Sequence, residues 1–137
     1  MGLVRTEITL KNVEDEILAK GGLLKKEDIR QINLVALVDT GAWTLVINEA
    51  VRQELGIPIT GIEPGTLADG SQKPYNLAGP LEVRWKDRRF VCEALVLPDA
   101  KDILLGAIPL EGMDLTINPR TEEVVGVHGD EVLHHIT

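Results

Sequence analysis

Residues 34–42 read LVALVDTGA, an apolar run that ends in an acidic residue, a hydroxyl residue and a glycine. The nearly continuous apolar run 32–38 predicts a β-strand buried on both faces. Asp39 follows directly, and a carboxyl at a strand end is costly to bury alone. Strand ends that face a cleft often carry reactive groups, and Gly41 lets the backbone turn sharply. The tripeptide by itself favours a plain Asx turn, in which Asp39 caps the loop.

Short strand-like segments separated by turn signals dominate the rest of the chain. Residues 7–10 alternate polar and apolar side chains, as a half-buried strand does. Three hairpins are predicted: 65–69 with 71–77 around Asp69-Gly70, 81–85 with 90–97 around 86–89, and 114–117 with 122–127 around 118–121. The pattern predicts a mostly β architecture, a small closed barrel.

Helices are few and short. Asn48 can cap a helix over 49–55 that Gly56 ends, and a second helix is expected over 108–112. Segments 14–20 and 25–30 fit a helix or a loop equally well. No linker divides the chain, so we expect one domain, residues 1–137, with two or three helices.

The two halves of the chain contain a similar short sequence pattern, a possible internal repeat. Gly41-Ala42 and Gly106-Ala107 each follow an apolar strand and precede a short helix. This suggests a duplicated strand–turn–helix unit that keeps its acidic centre, Asp39, in one copy only.

Composition narrows the class of protein. A net charge of −8 disfavours a nucleic-acid partner, and the basic run RWKDRR at 84–89 is interpreted as an exposed hairpin tip. The single cysteine fits a reducing compartment. The apolar runs are too short to cross a bilayer and no signal peptide is visible, so we expect no membrane partner and a cytoplasmic location.

The sequence gives little support to serine, cysteine, metal-dependent or phosphate-binding chemistry. The one serine, Ser71, lies in a predicted hairpin without a nucleophile elbow, and Cys92 lies inside a predicted strand. The histidines cluster near the C-terminus without zinc-site spacing, and no phosphate-binding glycine loop is present. We therefore expect no metal and no cofactor.

The context of Asp39 resembles the active-site motif of retropepsin-like aspartic proteases. Residues 34–42 are followed by LVI at 45–47, and ILLG at 103–106 resembles the hydrophobic-hydrophobic-Gly element of that family. LADGS at 67–71 stands where such proteins carry a flap hairpin. The resemblance covers about residues 3–127 and is strongest to the bacterial and archaeal single-domain branch, with one Asp-Thr-Gly per chain.

This resemblance implies a closed, mostly β fold and a homodimer that cleaves peptide substrates. Asp39 of each chain would be catalytic, supported by a loop of Thr40, Gly41 and Ala42. The flap would bind substrate through Leu67, Ala68, Asp69, Gly70 and Ser71. The second hydrophobic-Gly element would consist of Leu104, Leu105 and Gly106.

The chain departs from the family pattern at several places. Trp43 and Ala107 stand where retroviral members carry an Asp–Arg ion pair, so the contacts that stabilise the implied dimer must differ from those of retroviral members. Trp43 is interpreted most simply as a core or interface residue, with a substrate-pocket wall as the alternative. The chain is longer over 15–30, and its ends, 3–10 and 131–136, are candidates for interface strands.

Three functions are compatible with these residues. The first is a homodimeric aspartic endopeptidase that uses Asp39 from both chains. The alternative is a non-catalytic dimerisation or peptide-binding module of the same fold, which the missing ion pair favours. A metal-dependent hydrolase that combines Asp39 with His128, His134 and His135 ranks third.

Overall fold

A computed structural model describes residues 3–66 and 69–128. The strands are β1 (Arg5–Asn12), β2 (Gln31–Val38), β3 (Val46–Ile47), β4 (Ile59–Thr66), β5 (Gln72–Trp85), β6 (Arg88–Val96), β7 (Ile103–Leu105), β8 (Leu115–Asn118) and β9 (Glu123–Gly126). The helices are α1 (Val13–Lys20), α2 (Glu49–Leu55) and α3 (Ala107–Gly112), with one 3₁₀ turn at Lys26–Asp28.

Six strands close into a barrel in the order β1-β2-β7-β3-β6-β5, and β5 pairs back onto β1. β4 extends the sheet beyond β5, and β8 and β9 form a separate two-stranded sheet. The prediction of a mostly β, closed fold with two or three short helices is confirmed. No helix of the described residues has the length and apolarity needed to cross a membrane.

Aliphatic side chains fill the barrel interior. Leu10, Leu81 and Leu105 are fully buried there, since alternate residues of each strand point inward. The prediction that β2 is buried on both faces is wrong: Val35 is 52% exposed. A barrel of a single sheet has only one interior, so the outer side chains of β2 face away from the core of this chain.

Two hairpins differ from their predicted form. Thr66 pairs with Gln72, so Asp69, Gly70 and Ser71 lie outside the strands, whereas the prediction places Asp69 and Ser71 in them. Trp85 pairs with Arg88 across Lys86 and Asp87, which makes Arg88 a strand residue. Its side chain is only 1% exposed, so the run 84–89 is not simply an exposed tip. The β8–β9 hairpin is confirmed.

Helix ends follow the local sequence signals. The Asn48 side chain accepts a hydrogen bond from Val51 N at the start of α2, and Gly56 ends the helix in the left-handed conformation. The second predicted helix forms as α3. Segment 14–20 proves helical, with Asn12 as the cap of α1, whereas 25–30 contains only the 3₁₀ turn.

Residues 15–30 form the segment in which the chain is longer than the retroviral form. An ion pair between its first and last residues, Asp15 and Arg30, joins the two ends of this segment. The Asp15 carboxylate accepts hydrogen bonds from Arg30 N (2.9 Å), Nε (2.8 Å) and Nη2 (3.0 Å). The Asp15 side chain is only 6% exposed, so this ion pair fixes the segment against the barrel. The hydrogen bond from the Arg30 side chain lowers the pKa of Asp15 below its ordinary value of 3.8, against the opposing effect of burial.

We expect Asp15→Asn to lower the free energy of unfolding at pH 7 by about 1–2 kcal/mol, because the amide cannot form the ion pair. A carboxyl with a depressed pKa stabilises the fold above its ordinary pKa and loses that effect as pH falls through the folded-state value. The difference in urea unfolding between variant and wild type should therefore shrink below about pH 4. Asp28→Asn, an exposed carboxyl in the same segment, is the control. A pH-independent difference for Asp15→Asn would contradict this account.

Candidate active site

Asp39 lies just beyond β2, where the chain turns away from the barrel. Its Oδ1 accepts a hydrogen bond from Gly41 N (2.9 Å), and Ala42 N donates to Asp39 O (3.1 Å). The Asx turn considered from the sequence therefore exists. It uses one carboxylate oxygen; Oδ2 accepts no hydrogen bond from the described residues. An ordered turn with a free carboxylate oxygen suits a group that must take up or release a proton.

The second hydrophobic-Gly element lies directly beside this turn. β2 and β7 are parallel, with Leu37 opposite Leu104, and Asp39 N donates to Leu105 O (3.0 Å). On the other side of the turn, Ala107 N donates to Ala42 O (2.8 Å). The two copies of the repeated pattern, around Gly41-Ala42 and Gly106-Ala107, are thus hydrogen-bonded to each other next to Asp39.

Gly106 is where the two loops come closest. A Cβ atom at this position would lie 2.6 Å from Ala42 O and closer still to Thr44 O. These are backbone atoms, so the contact cannot be relieved by rotating a side chain. Only glycine lets the start of α3 pack against the Asp39 loop.

Thr40 is exposed at the outer side of the loop. Within residues 3–66 and 69–128 its hydroxyl makes no hydrogen bond. A cavity of about 410 Å³ beside it is lined by Thr40, Ala107, Leu110, Glu111, Leu115, Thr116 and Ile117. This part of the surface therefore combines an unused hydroxyl with apolar side chains of α3 and β8.

Apolar side chains flank Asp39 along the sheet. Leu37 and Leu104 pair in register and are both partly exposed. Residues two apart on a strand share a face, so Leu37 lies on the same face as Asp39. Of the two positions considered for Trp43, core or interface, the core position is wrong, since Trp43 is 49% exposed, and the interface position stays a prediction. Trp43 O accepts a hydrogen bond from Ile108 N (3.0 Å), so backbone contact joins Trp43 to the residue that follows Ala107.

The predicted flap is the tip of the β4–β5 hairpin. Asp69 Oδ1 accepts hydrogen bonds from Ser71 N (2.8 Å) and Ser71 Oγ (2.5 Å), which lower the pKa of Asp69. Gly70 adopts a positive φ of 85° that favours glycine. Leu67 and Ala68 lie outside the described residues. Further down the hairpin, the Tyr75 ring covers Gly65 and leaves no room for a side chain there.

Sequence reasoning missed Arg88, which supports the far end of α3. Its Nη1 donates to Met113 O (3.0 Å) and Asp114 O (2.8 Å), next to the negative end of the helix dipole. The alternation of β6 held a signal, since Arg88 has the same parity as buried Ala94 and Val96. Arg88 thus holds the helix whose first turn packs against the Asp39 loop.

The remaining candidate nucleophile and metal ligands lie elsewhere. Burial raises the pKa of the Cys92 thiol to about 11, which suppresses the reactive thiolate. His128 Nδ1 lies 2.9 Å from Asp114 Oδ1, and His134 and His135 are outside the described residues. Among the described residues, no group of three His, Cys, Asp or Glu side chains is arranged to hold a metal ion.

We compared the chain with known proteins, and the family that matches includes both the Asp39 loop and the Gly106 segment. A search of curated proteins finds none that matches the chain. A family model described as Aspartyl protease matches residues 27–107, a range that includes β2, the Asp39 loop, the β4–β5 hairpin and Gly106. That match covers more than half of the chain, and the chain belongs to this retropepsin-like family of aspartyl proteases.

Proposed function

We propose that the protein is an aspartic endopeptidase that acts as a homodimer, with Asp39 of each chain as the catalytic pair. The observation that carries the proposal is the Asp39 loop itself. One carboxylate oxygen holds the turn and the other is free, and Gly106 packs directly against the same turn. The chain supplies one such carboxyl, so a two-fold partner would supply the second.

Two adjacent carboxyls can share a single proton, because like charges about 3 Å apart do not both ionise. The ionised carboxylate removes a proton from a water molecule, and the water oxygen attacks the peptide carbonyl carbon. The protonated carboxyl donates its proton to the carbonyl oxygen. Collapse of the tetrahedral intermediate then breaks the C–N bond, with a proton passing to the leaving nitrogen.

The side chains around the loop suit this arrangement. Thr40 is exposed and its hydroxyl is unused in the described part of the chain, so it is available to bond the partner's loop across the axis. Leu37 and Leu104 would give the cleft an apolar wall beside Asp39. The β4–β5 hairpin would cover the bound peptide with Asp69, Gly70 and Ser71, together with Leu67 and Ala68.

The test is cleavage of a diverse peptide library between about pH 4 and 7, with the oligomeric state measured by sedimentation. We expect a dimer and a rate that falls on both sides of an optimum, since one carboxyl must be ionised and the other protonated. Cleavage by a strictly monomeric form would contradict the shared pair.

The second candidate is a non-catalytic peptide-binding module of the same fold. Trp43 and Ala107 favour it, because an exposed indole and a methyl group stand where retroviral members carry the ion pair that stabilises the dimer. A proven dimer that cleaves nothing in the library would support this candidate over the peptidase.

A further inference from the structure

Two grooves run side by side over the outer surface of the barrel, and the Asp39 loop lines neither of them. One has a volume of about 660 Å³ and crosses β1 and β2; the other, of about 550 Å³, lies between α1, β1 and the β5–β6 hairpin. They share Lys11 and Arg84, so they form one continuous basic groove. Its near end reaches Val35, which lies about 13 Å along β2 from Asp39.

Positive charge dominates this basic groove although the chain has a net charge of −8. Six basic side chains line it: Lys11, Lys20, Lys26, Arg84, Lys86 and Arg89. Three carboxyls oppose them, Glu7, Glu16 and Glu82. The groove therefore carries an excess of positive charge, while the rest of the molecule is more acidic than the chain as a whole.

The two arginines of the basic groove are held in place before any ligand arrives. Glu82 is fully buried, and its carboxylate accepts a 2.5 Å hydrogen bond from the Nε of Arg84 and another from the Nε of Arg89. One carboxylate thus orients two guanidinium groups whose outer edges remain exposed. Lys86 lies over the Trp85 ring, 4.6 Å from its centroid. Preorganised cations lose little side-chain entropy on binding.

Apolar side chains accompany these cations. Ile17, 64% exposed, lines the part of the basic groove beside α1, and Val35 lines the part beside β2. A nucleic acid would gain from the cations but would leave the exposed apolar side chains without an apolar partner. An acidic peptide with apolar residues matches both features.

We propose that the basic groove binds an acidic polypeptide segment that also carries apolar side chains. The carboxylates of that segment pair with the lysines and with the exposed edges of Arg84 and Arg89, and its apolar residues contact Ile17 and Val35. The site is separate from Asp39 and does not depend on peptide cleavage.

Fluorescence anisotropy with a labelled Glu-Glu-Leu-Glu-Glu-Leu-Glu-Glu peptide tests the proposal. All proteins carry Asp39→Asn, so the probe stays intact and the outcome is independent of the proposed catalysis. We expect saturable binding that weakens from about 20 to 300 mM NaCl, and none to the same peptide with Gln for Glu. Lys20→Gln with Lys26→Gln should weaken it about fivefold.

Lys101→Gln with Arg120→Gln is the matched control, since both side chains are exposed and outside the groove. It removes the same charge and should leave the Kd unchanged. The proposal is overturned if both pairs weaken binding equally, if the groove pair has no effect, or if the peptide fails to bind at about 1 mM protein. Equal competition by single-stranded oligothymidylate would assign the groove to nucleic acid instead and would also overturn it.

Discussion

Asp39→Asn should abolish peptide cleavage, with a loss in kcat/KM of about 10³-fold or more. The amide can neither remove a proton from water nor share one with its partner. The turn itself should persist, because the amide oxygen of Asn can accept the hydrogen bond from Gly41 N that Asp39 Oδ1 accepts now. The loss would then report chemistry rather than folding.

The measurement compares kcat/KM, thermal unfolding and dimer content for wild type and Asp39→Asn. Asp99→Asn, a change of an exposed carboxyl elsewhere on the surface, controls for the altered net charge and should retain full activity. If purified Asp39→Asn keeps its activity, Asp39 is not the catalytic carboxyl and the aspartic mechanism fails with it.

Mixed dimers separate a shared pair from a site that is complete within one chain. When wild type and Asp39→Asn exchange subunits in equal amounts, about one quarter of the dimers carry two Asp39 carboxyls. The activity per wild-type chain should therefore fall to about half. An activity per wild-type chain that stays constant would show that each chain works alone.

Local signals in the sequence predict the parts of this fold that depend on neighbouring residues. Asn48 and Gly56 bound α2 as expected, because capping and the left-handed C-terminus involve only a few residues. The proximity of the two Gly-containing loops was predictable only through family resemblance. Nothing in residues 34–42 indicates by physics alone that Leu105 will accept a hydrogen bond from Asp39 N.

The errors arise where tertiary packing overrides the local pattern. The basic run 84–89 predicts an exposed hairpin tip, yet its side chains divide between the two faces of the hairpin. Arg88 turns inward to the end of α3, while Arg84 and Arg89 bind Glu82 on the outside. Likewise, β2 looks fully buried by composition but is covered by this chain on one face only, as the exposure of Val35 shows. Composition gives the hydrophobicity of a strand but not the number of layers that cover it.

Gly106→Ala should be the most damaging single methyl addition near the site. The new Cβ would overlap the carbonyl oxygens of Ala42 and Thr44, and both belong to backbone that is fixed by neighbouring hydrogen bonds. Relief requires α3 to move away from the Asp39 loop, which stretches the hydrogen bond from Ala107 N to Ala42 O. We expect a loss of about 2–3 kcal/mol in the free energy of unfolding. Cleavage should fall further than stability alone explains, because the loop that carries Asp39 is displaced.

Gly21→Ala is the matched control, since it adds the same methyl group at a helix end where space exists. Its Cβ would lie 3.6 Å from Ile17 O, an ordinary contact, and Gly21 has a negative φ of −83° that alanine adopts freely. Urea unfolding and kcat/KM should both stay near wild type for this variant. The comparison isolates the close approach at Gly106 from the general effect of replacing a glycine. If Gly106→Ala unfolds at the wild-type urea concentration and cleaves at the wild-type rate, the two loops do not support each other as their geometry indicates, and the Asp39 turn must be held by β2 alone.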